Sequence, residues 1–356
     1  MKSSDGKSNG GRERIRVATA QGSSGLSDVV QLRPGTRGDR VPSGTPTVAR
    51  DIARGVEQGE QGDLLARLPA MSARVLRFSE EISQGEPDRA DYLHGVLCQV
   101  GLPRSATRST RFERTNGSAS LLIEAGNLWN GKTWIEQPLP YGTRPRLALV
   151  FVSSEAVRTN SPVVEVGRSM RHFLQRINIG DGGRQFESFR RQMNALAACR
   201  MTIGFGTSTV DAKPIKRFTA WADGSNDPSH LSPGVIELSP EFFASLKASA
   251  VPLDPRALSA LQNSALALDV YTWLAHRLVR VRARGEKLSW ANLRSQFGQE
   301  YADPKNFKRE LLRVLGTVQE AYPMADFRRV STGLVLRPSP PPVAHLPEGG
   351  KGTCRP

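Results

Sequence analysis

The residues of this chain that most resemble a catalytic motif run from Gly126 to Thr133. They fit the phosphate-binding loop G-x-x-x-x-G-K-[ST], in which backbone N–H groups and a lysine hold nucleotide phosphates. The apolar stretch 121–123 precedes the motif, as such loops require. A helix must follow directly, however, and Pro138 and Pro140 oppose a helix there. We therefore expect a β-hairpin turn, with Trp134-Ile135 as the strand that pairs with 121–123. A P-loop ATPase at 126–133 remains an alternative function.

The histidines and a D-x-K pair are the other candidates for chemistry. A rolling-circle nicking enzyme needs two histidines that flank an apolar residue on a strand, together with a nucleophilic tyrosine. No such pair exists, because the histidines are far apart: His94, His172, His230, His276 and His345. Asp211 and Lys213 have the D-x-K spacing of some nucleases, but no clear acidic partner precedes them. We predict that the protein is not an enzyme and that it has no metal site and no cofactor.

Two predicted helices carry arginines in a pattern that suits DNA. In the first, about 184–200, apolar residues at i, i+3, i+7 and i+10 form one stripe. Steps of 100° place Arg184, Ser188, Arg191 and Ala195 on the opposite side. Small side chains let a helix approach a duplex, and arginines reach phosphates and guanine edges. An ordinary solvated face is the competing interpretation for one helix alone.

The second helix, about 304–322, repeats the pattern: Phe307 and its apolar partners lie on one side and Asn306, Arg309 and Arg313 on the other. We predict that Arg184, Arg191, Arg309 and Arg313 read the major groove, with Ser188 and Asn306 as smaller readers. Seven further residues are predicted to contact phosphates: Arg190, Arg200, Lys213, Lys216, Arg217, Lys305 and Lys308.

Charge and composition favour a nucleic-acid partner. The 356 residues include 49 lysines and arginines against 34 acidic residues, so the net charge is +15. Three widely separated cysteines indicate no disulfide framework, and no apolar run is long enough to cross a bilayer. We expect a soluble cytoplasmic protein that binds double-stranded DNA and no membrane. Host replication initiator and helicase proteins, and a second copy in a homodimer, are further candidate partners.

The order of predicted elements divides the chain. The segment 1–62 lacks apolar periodicity and is predicted to be a disordered tail. The predicted fold class is α+β, with two tandem winged-helix domains in which strands 201–205 and 213–221 form the first wing. Helices at 63–82 and 87–100 precede them. The predicted boundaries are 1–62 for the tail, 63–142 for the N-terminal helices and β-hairpin, 143–238 for winged-helix domain 1, 239–262 for a connector, 263–338 for winged-helix domain 2 and 339–356 for a second disordered tail.

Several short motifs resemble one known family. They are Arg114-Thr-Asn-Gly117, Leu139-Pro-Tyr-Gly-Thr-Arg-Pro-Arg-Leu147, Glu155-Ala-Val-Arg-Thr159, Glu165-Val-Gly, Gly182-Gly183-Arg184, Ser289-Trp290, Gln296-Phe-Gly298 and Ser339-Pro-Pro-Pro-Val343. Together they resemble the plasmid-encoded RepA replication-initiator family over about residues 90–343. The resemblance implies binding to repeated sites at a plasmid origin, local duplex opening and loading of host replication proteins. A transcriptional repressor on the same winged-helix scaffold is a further alternative.

Overall fold

The computed structural model describes residues 70–167, 169–180, 182–211, 213–218 and 234–343, and it is a mixture of helices and β-sheets, as predicted. The predicted tail 1–62 lies outside this part of the chain, as do residues 344–356 of the predicted tail 339–356. Residues 339–343 of that second tail are ordered, because Ser339 and Val343 are buried and the Ser339 hydroxyl accepts a hydrogen bond from the N–H of Asp326 at 2.9 Å. The helices are α1 (Ala70–Ser83), α2 (Gly95–Gln99), α3 (Thr143–Thr159), α4 (Met170–Arg176), α5 (Gly183–Ala198), α6 (Pro240–Ser249), α7 (Pro255–Leu261), α8 (Ala265–Leu278), α9 (Trp290–Phe297) and α10 (Pro304–Ala321). The strands are β1 (Asp91–His94), β2 (Arg111–Asn116), β3 (Ala119–Glu124), β4 (Asn127–Trp129), β5 (Trp134–Glu136), β6 (Val163–Gly167), β7 (Arg200–Phe205), β8 (Ser208–Asp211), β9 (Ile215–Phe218), β10 (Gly234–Leu238), β11 (Ala250–Leu253), β12 (Glu286–Ser289), β13 (Phe327–Val330) and β14 (Gly333–Leu336).

Two parts of the chain share one order of elements. The first repeat, defined here as residues 143–238, runs α3, β6, α4, α5 and later β9 and β10; the second repeat, residues 265–336, runs α8, β12, α9, α10, β13 and β14. The sheets match as well, since their strand orders are β6-β10-β9 and β12-β14-β13. In both, the strand that precedes the helix pair lies antiparallel to the last strand.

The same capping device starts the helix pair in each repeat. The Ser169 hydroxyl accepts a hydrogen bond from the backbone N–H of His172 at 3.2 Å, as predicted for the start of α4. In the second repeat, the Ser289 hydroxyl accepts from the N–H of Asn292 at 3.1 Å at the start of α9. An N-terminal serine satisfies a backbone donor that has no partner within its helix. The strand therefore turns into the helix at the same point in both repeats.

The prediction that 201–205 and 213–221 form one hairpin is wrong. Strand β7 turns back through Gly206-Thr207 and pairs with β8 in the register Phe205↔Ser208. Gly206 has φ +59°, a conformation that glycine adopts without strain and that two-residue hairpin turns require. Because β8 occupies this edge of β7 and β3 occupies the other, β9 pairs with β10 instead.

The predicted pairing of 121–123 with Trp134-Ile135 is also wrong, because each of two Asn-Gly turns joins its strand to the next strand along the chain. Asn116-Gly117 joins β2 to β3, with Gly117 at φ +59°, and β3 pairs with β7 on its other side. The second turn contains Asn130-Gly131 and joins β4 to β5, so that Trp134 lies opposite Trp129. Asparagine followed by glycine is the strongest short-range signal for a hairpin.

The helix predicted at 87–100 is replaced by strand β1 and the short helix α2. Strand β1 pairs with β11, about 160 residues later in the chain, in the register His94↔Ala250. His94 ends the strand and its Nδ1 accepts a hydrogen bond from the N–H of Val96, which starts α2. The segment 239–262, which was predicted as a connector, contains α6, β11 and α7.

A buried ion pair joins the first helices of the two repeats. Arg146 on α3 and Asp269 on α8 are each 7% exposed, and the Nε–Oδ1 and Nη2–Oδ2 distances are 2.7 and 2.9 Å. The remaining guanidinium N–H groups donate to the carbonyl oxygens of Leu102, Pro103 and Gly142. All five donors of Arg146 are therefore satisfied, as a buried charge requires.

Candidate nucleic-acid interface

Aromatic packing fixes the position of helix α5. Phe189 is fully buried and meets Phe173 of α4 edge-on, with ring centroids 5.4 Å apart. Phe173 meets Phe151 of α3 in the same way at 4.9 Å. Edge-to-face aromatic pairs contribute about 0.5–1.5 kcal/mol beyond the apolar area that they bury. The three helices of the first repeat are thus held in one arrangement.

The exposed polar face of α5 ends at Arg191. Arg184 and Arg191 are exposed, while Ser188 is half-buried. The prediction that Ala195 lies on the exposed face is wrong, because Ala195 is fully buried. The carboxyl-terminal half of the helix is enclosed by other elements, and Gln192 there accepts a hydrogen bond from the N–H of Tyr141 at 2.7 Å.

The predicted phosphate contacts of the first repeat lie on several elements. Arg190 on α5 forms an ion pair with Glu187 at 2.9 Å, and Arg200 pairs with Asp211 across β7 and β8 at 2.7 Å. Lys216 on β9 pairs with Glu237 on β10 at 2.8 Å, and Lys213 is exposed between β8 and β9. Arg217 lies in β9, and its side chain is outside the described residues. Exposed ion pairs of this kind contribute about 0–1 kcal/mol, so a phosphate can replace the carboxylate at little cost.

Helix α10 presents a longer polar face in the second repeat. Lys305, Asn306, Arg309 and Arg313 are exposed, and the side-chain oxygen of Asn306 accepts from Arg309 at 3.0 Å. Arg313 donates two hydrogen bonds to Glu310, at 2.6 and 3.0 Å. These bonds are the main cause of the lowered pKa of the Glu310 carboxyl.

Two features of the second repeat connect α10 to its neighbours. The ammonium of Lys308 lies 4.5 Å from the ring centroid of Trp290, at the start of α9. The indole N–H of Trp290 in turn donates to the carbonyl of Ser331, in the turn between β13 and β14. A cation over an indole ring is stabilised by about 0.5–1 kcal/mol at an exposed site. Helices α9 and α10 and the β13–β14 hairpin therefore form one positioned surface.

Sequence reasoning missed the basic residues of the second hairpin. Arg328 and Arg329 on β13 are both exposed beside the helix pair. Their signal in the sequence was a pair of adjacent arginines in a short strand that is followed by a turn and Gly333. The corresponding hairpin of the first repeat joins β9 to β10 through residues 219–233, which lie outside the described part of the chain.

The phosphate-loop letters at 126–133 do not form a nucleotide site of the expected kind. They fold as the β4–β5 hairpin, as the prolines led us to expect, with the rings of Trp129 and Trp134 5.5 Å apart. The side-chain oxygen of Asn130 accepts hydrogen bonds from the N–H groups of Lys132 and Thr133. The next helix, α3, begins only at Thr143, so the backbone geometry that cradles phosphates is absent from this segment.

Part of the chain matches a known family. Residues 139–292 match the family described as plasmid encoded RepA protein, which confirms the predicted resemblance for this part of the chain. The match covers the first repeat and ends within α9, so α10 and its arginines lie beyond it. No curated protein matches the chain. No helix in the part of the chain that the structure describes is both long and apolar enough to span a membrane.

Two solved structures are similar to the chain at low identity. A crystal structure of the RctB domains 2-3 has 12% sequence identity and a TM-score of 0.41, covering 65% of this chain and 83% of that chain. A selenomethionine derivative of domain 2 and domain 3 of RctB has 12% identity and a TM-score of 0.42, covering 62% of this chain and 83% of the other.

Proposed function

We propose, from the RepA family domain in residues 139–292, that this protein is a plasmid replication initiator without catalytic activity of its own. It binds repeated sequences in the double-stranded DNA of a plasmid origin, helps to open the duplex and recruits host replication proteins. The family match is the observation that carries the proposal. The net charge of +15 supports it, because a basic protein attracts and retains a polyanion.

The two repeats act as winged-helix modules in this proposal. Their element order and sheet order are those expected of a helix-turn-helix with a β-hairpin wing. In such modules the second helix of the pair enters the major groove, and its amino-terminal residues contact base edges. Helices α5 and α10 hold this place in the two repeats, and the exposed residues of α5 extend from its amino-terminal end to Arg191.

Arginines on these two helices are assigned to base reading. Arg184 and Arg191 serve the first repeat, and Arg309 and Arg313 serve the second, because a guanidinium donates two hydrogen bonds to the O6 and N7 atoms of guanine. Ser188 and Asn306 are assigned to further base contacts beside these arginines, through shorter side chains. The phosphate contacts come from Arg190, Arg200, Lys213, Lys216, Arg217, Lys305 and Lys308.

Two of the arginines assigned to DNA contacts form ion pairs within their own helices. Arg313 reaches a base only if it leaves Glu310, and Arg190 reaches a phosphate only if it leaves Glu187. The intramolecular pairs hold these arginines near the helix surface in the absence of DNA. Exposed pairs are weak enough for DNA to displace them. The arginines of β13, Arg328 and Arg329, contribute phosphate contacts from the second wing.

Fluorescence anisotropy tests the proposal directly. The full chain is titrated against a duplex that carries the direct repeats beside its gene, and against a duplex of the same composition in shuffled order. Sequence-specific binding predicts a preference of at least about 10³-fold for the repeats at physiological salt. Equal affinity for both duplexes would contradict the proposal.

A further inference from the structure

A polar pocket lies beside the helix pair of the first repeat. It has a volume of about 350 Å³ and is lined by residues of α1, the start of α3, the segment 179–180 and the start of α5. Most of its lining is polar: Arg74, Thr143, Arg144, Gln185, Gln262 and Asn263. The described residues of the lining include two arginines and no carboxylate. Asp181 lies outside the described residues.

The two arginines of this pocket lack a balancing negative charge in the lining. The Nε of Arg74 donates to the carbonyl of Ser259 at 2.8 Å, whereas the buried Nε of Arg144 has no hydrogen-bond partner among the described residues. Burial is the main cause of the lowered pKa of both guanidinium groups. Half-buried cations without a counter-ion among the described residues are unfavourable, and an anion in the pocket removes much of that cost.

A buried amide supports the assignment of a ligand. Gln262 is only 6% exposed, and its Oε1 has no hydrogen-bond partner in the described part of the chain. The Nε2 of the same amide donates to no other described residue, and as an amide donor it can bind an anion in the pocket that this side chain lines. Buried polar atoms without a partner are rare in folded proteins, so an unsatisfied one at a pocket indicates a missing partner.

Two helix ends add to the positive potential. Helices α3 and α5 begin after Gly142 and Gly182, which have no side chain to cap the first turn, and neither helix has an acidic residue in that turn. Thr143 and Arg144 from the first turn of α3, and Gln185 from that of α5, reach the pocket lining. The amino-terminal end of a helix favours phosphate through its free N–H groups and its dipole.

We propose that this pocket binds a phosphate group. Resting on the proposed function, we assign that group to the backbone of the same duplex whose bases α5 reads. Gln185 lines the pocket and is the neighbour of Arg184 on α5, so one length of DNA can place bases against α5 and a phosphate in the pocket. A free phosphate or a nucleotide has the same chemistry and is the other source of the group.

The variant Arg144→Gln separates these outcomes. Its affinity for the repeat duplex and for the shuffled duplex is measured between about 50 and 200 mM salt. Loss of one phosphate contact lowers the slope of log affinity against log salt by about 0.9, so the loss of affinity over this range becomes about 3.5-fold smaller on both duplexes. The control is Arg158→Gln, about 21 Å away at the other end of α3, for which the slope should stay unchanged.

The effect of Arg144→Gln on DNA binding can be separated from an effect on folding. Arg144 has no ion pair among the described residues and its charge is unfavourable where it lies, so Arg144→Gln should not lower the thermal midpoint of the wild type. In a second arm, inorganic phosphate and ATP are added during thermal unfolding of the wild type and of Arg144→Gln.

The salt titration and the thermal unfolding together distinguish a DNA phosphate from a free anion, and the phosphate site from the proposed function. A reduced salt slope in Arg144→Gln supports a backbone phosphate. An unchanged slope, together with a rise in the thermal midpoint on addition of phosphate or ATP that the variant loses, assigns the pocket to a free anion. If neither property changes, the phosphate site is overturned even when the wild type prefers the repeats. If the wild type shows no preference for the repeats, the proposed function fails by itself.

Discussion

The buried pair of Arg146 and Asp269 should control the stability of the whole described unit. We consider the substitution Asp269→Asn, which keeps the shape of the side chain and removes its charge. The new amide can still accept one hydrogen bond from Arg146, but its nitrogen then faces the Nη2 donor that now lies 2.9 Å from Oδ2. Arg104, whose Nη1 is 3.7 Å from the same oxygen, also loses a neighbouring negative charge.

The expected magnitude follows from this geometry. Removing one partner of a buried ion pair costs about 3–5 kcal/mol, because the other charge remains buried without compensation. Two guanidinium groups lie next to Asp269, so we expect a loss at the upper end of this range. Domains of this size have a free energy of unfolding of about 5–15 kcal/mol, and the variant should therefore be close to the limit of folding.

Urea unfolding measures this effect. The free energy of unfolding is compared for the wild type, for Asp269→Asn and for the control Asp326→Asn. Asp326 lies 3.9 Å from Arg337 in a half-exposed pair, so its substitution should cost less than about 1 kcal/mol. A loss of less than about 1 kcal/mol for Asp269→Asn, equal to that of the control, would refute the reasoning.

Three further predictions concern single residues. Gly316 lies on the exposed side of α10, and an added Cβ would have no atom within 4 Å. Gly316→Ala should therefore raise the free energy of unfolding by about 0.5–1 kcal/mol, as measured in a thermal melt. No gain in stability would contradict the free space around this position. Arg309→Ala should weaken specific DNA binding by about 1–3 kcal/mol and reduce the preference for one base at a single position. Duplexes changed one base pair at a time measure this preference. An equal loss of affinity at all positions would assign Arg309 to a phosphate instead. Burial lowers the pKa of His94 to about 4, so its neutral form favours the folded state, and stability is complete above about pH 6.5 and falls between about 6.5 and 4. His94 should therefore account for about 2 kcal/mol of the difference between pH 7.5 and pH 5, to which His276 adds because its pKa is also lowered to about 4. In denaturant titrations His94→Gln should reduce the difference by that share; an equal slope in both proteins would exclude His94 as a cause.

Helices could be predicted from the sequence where the residues that determine them are close together along the chain. The apolar stripe that contains Phe189 identified α5, and Ser169 identified the start of α4, because periodicity and capping depend on neighbours along the chain. The repetition of helix, strand and helix pair in the two parts of the chain was visible for the same reason. The family resemblance rested on short motifs such as Gly182-Gly183-Arg184, most of which lie inside the matched segment.

Strand pairing could not be predicted with the same success, because partners come from distant segments. Strand β1 looked like part of a helix, since its partner β11 lies about 160 residues later. Gly206 forms a tight turn through which β7 pairs with β8, and β9 therefore pairs with β10 instead of with β7. The burial of Ala195 likewise results from tertiary packing around the end of α5, which a helical stripe does not reveal.

A footprint of the wild type and two variants on one repeat duplex tests the central claim most directly. If both repeats read the same duplex, the protein should protect two patches about one helical turn, or 34 Å, apart. Arg191→Ala should then lose base preference in one patch only, and Arg309→Ala in the other only. A single protected patch, or two variants that affect the same base pairs, would contradict the account.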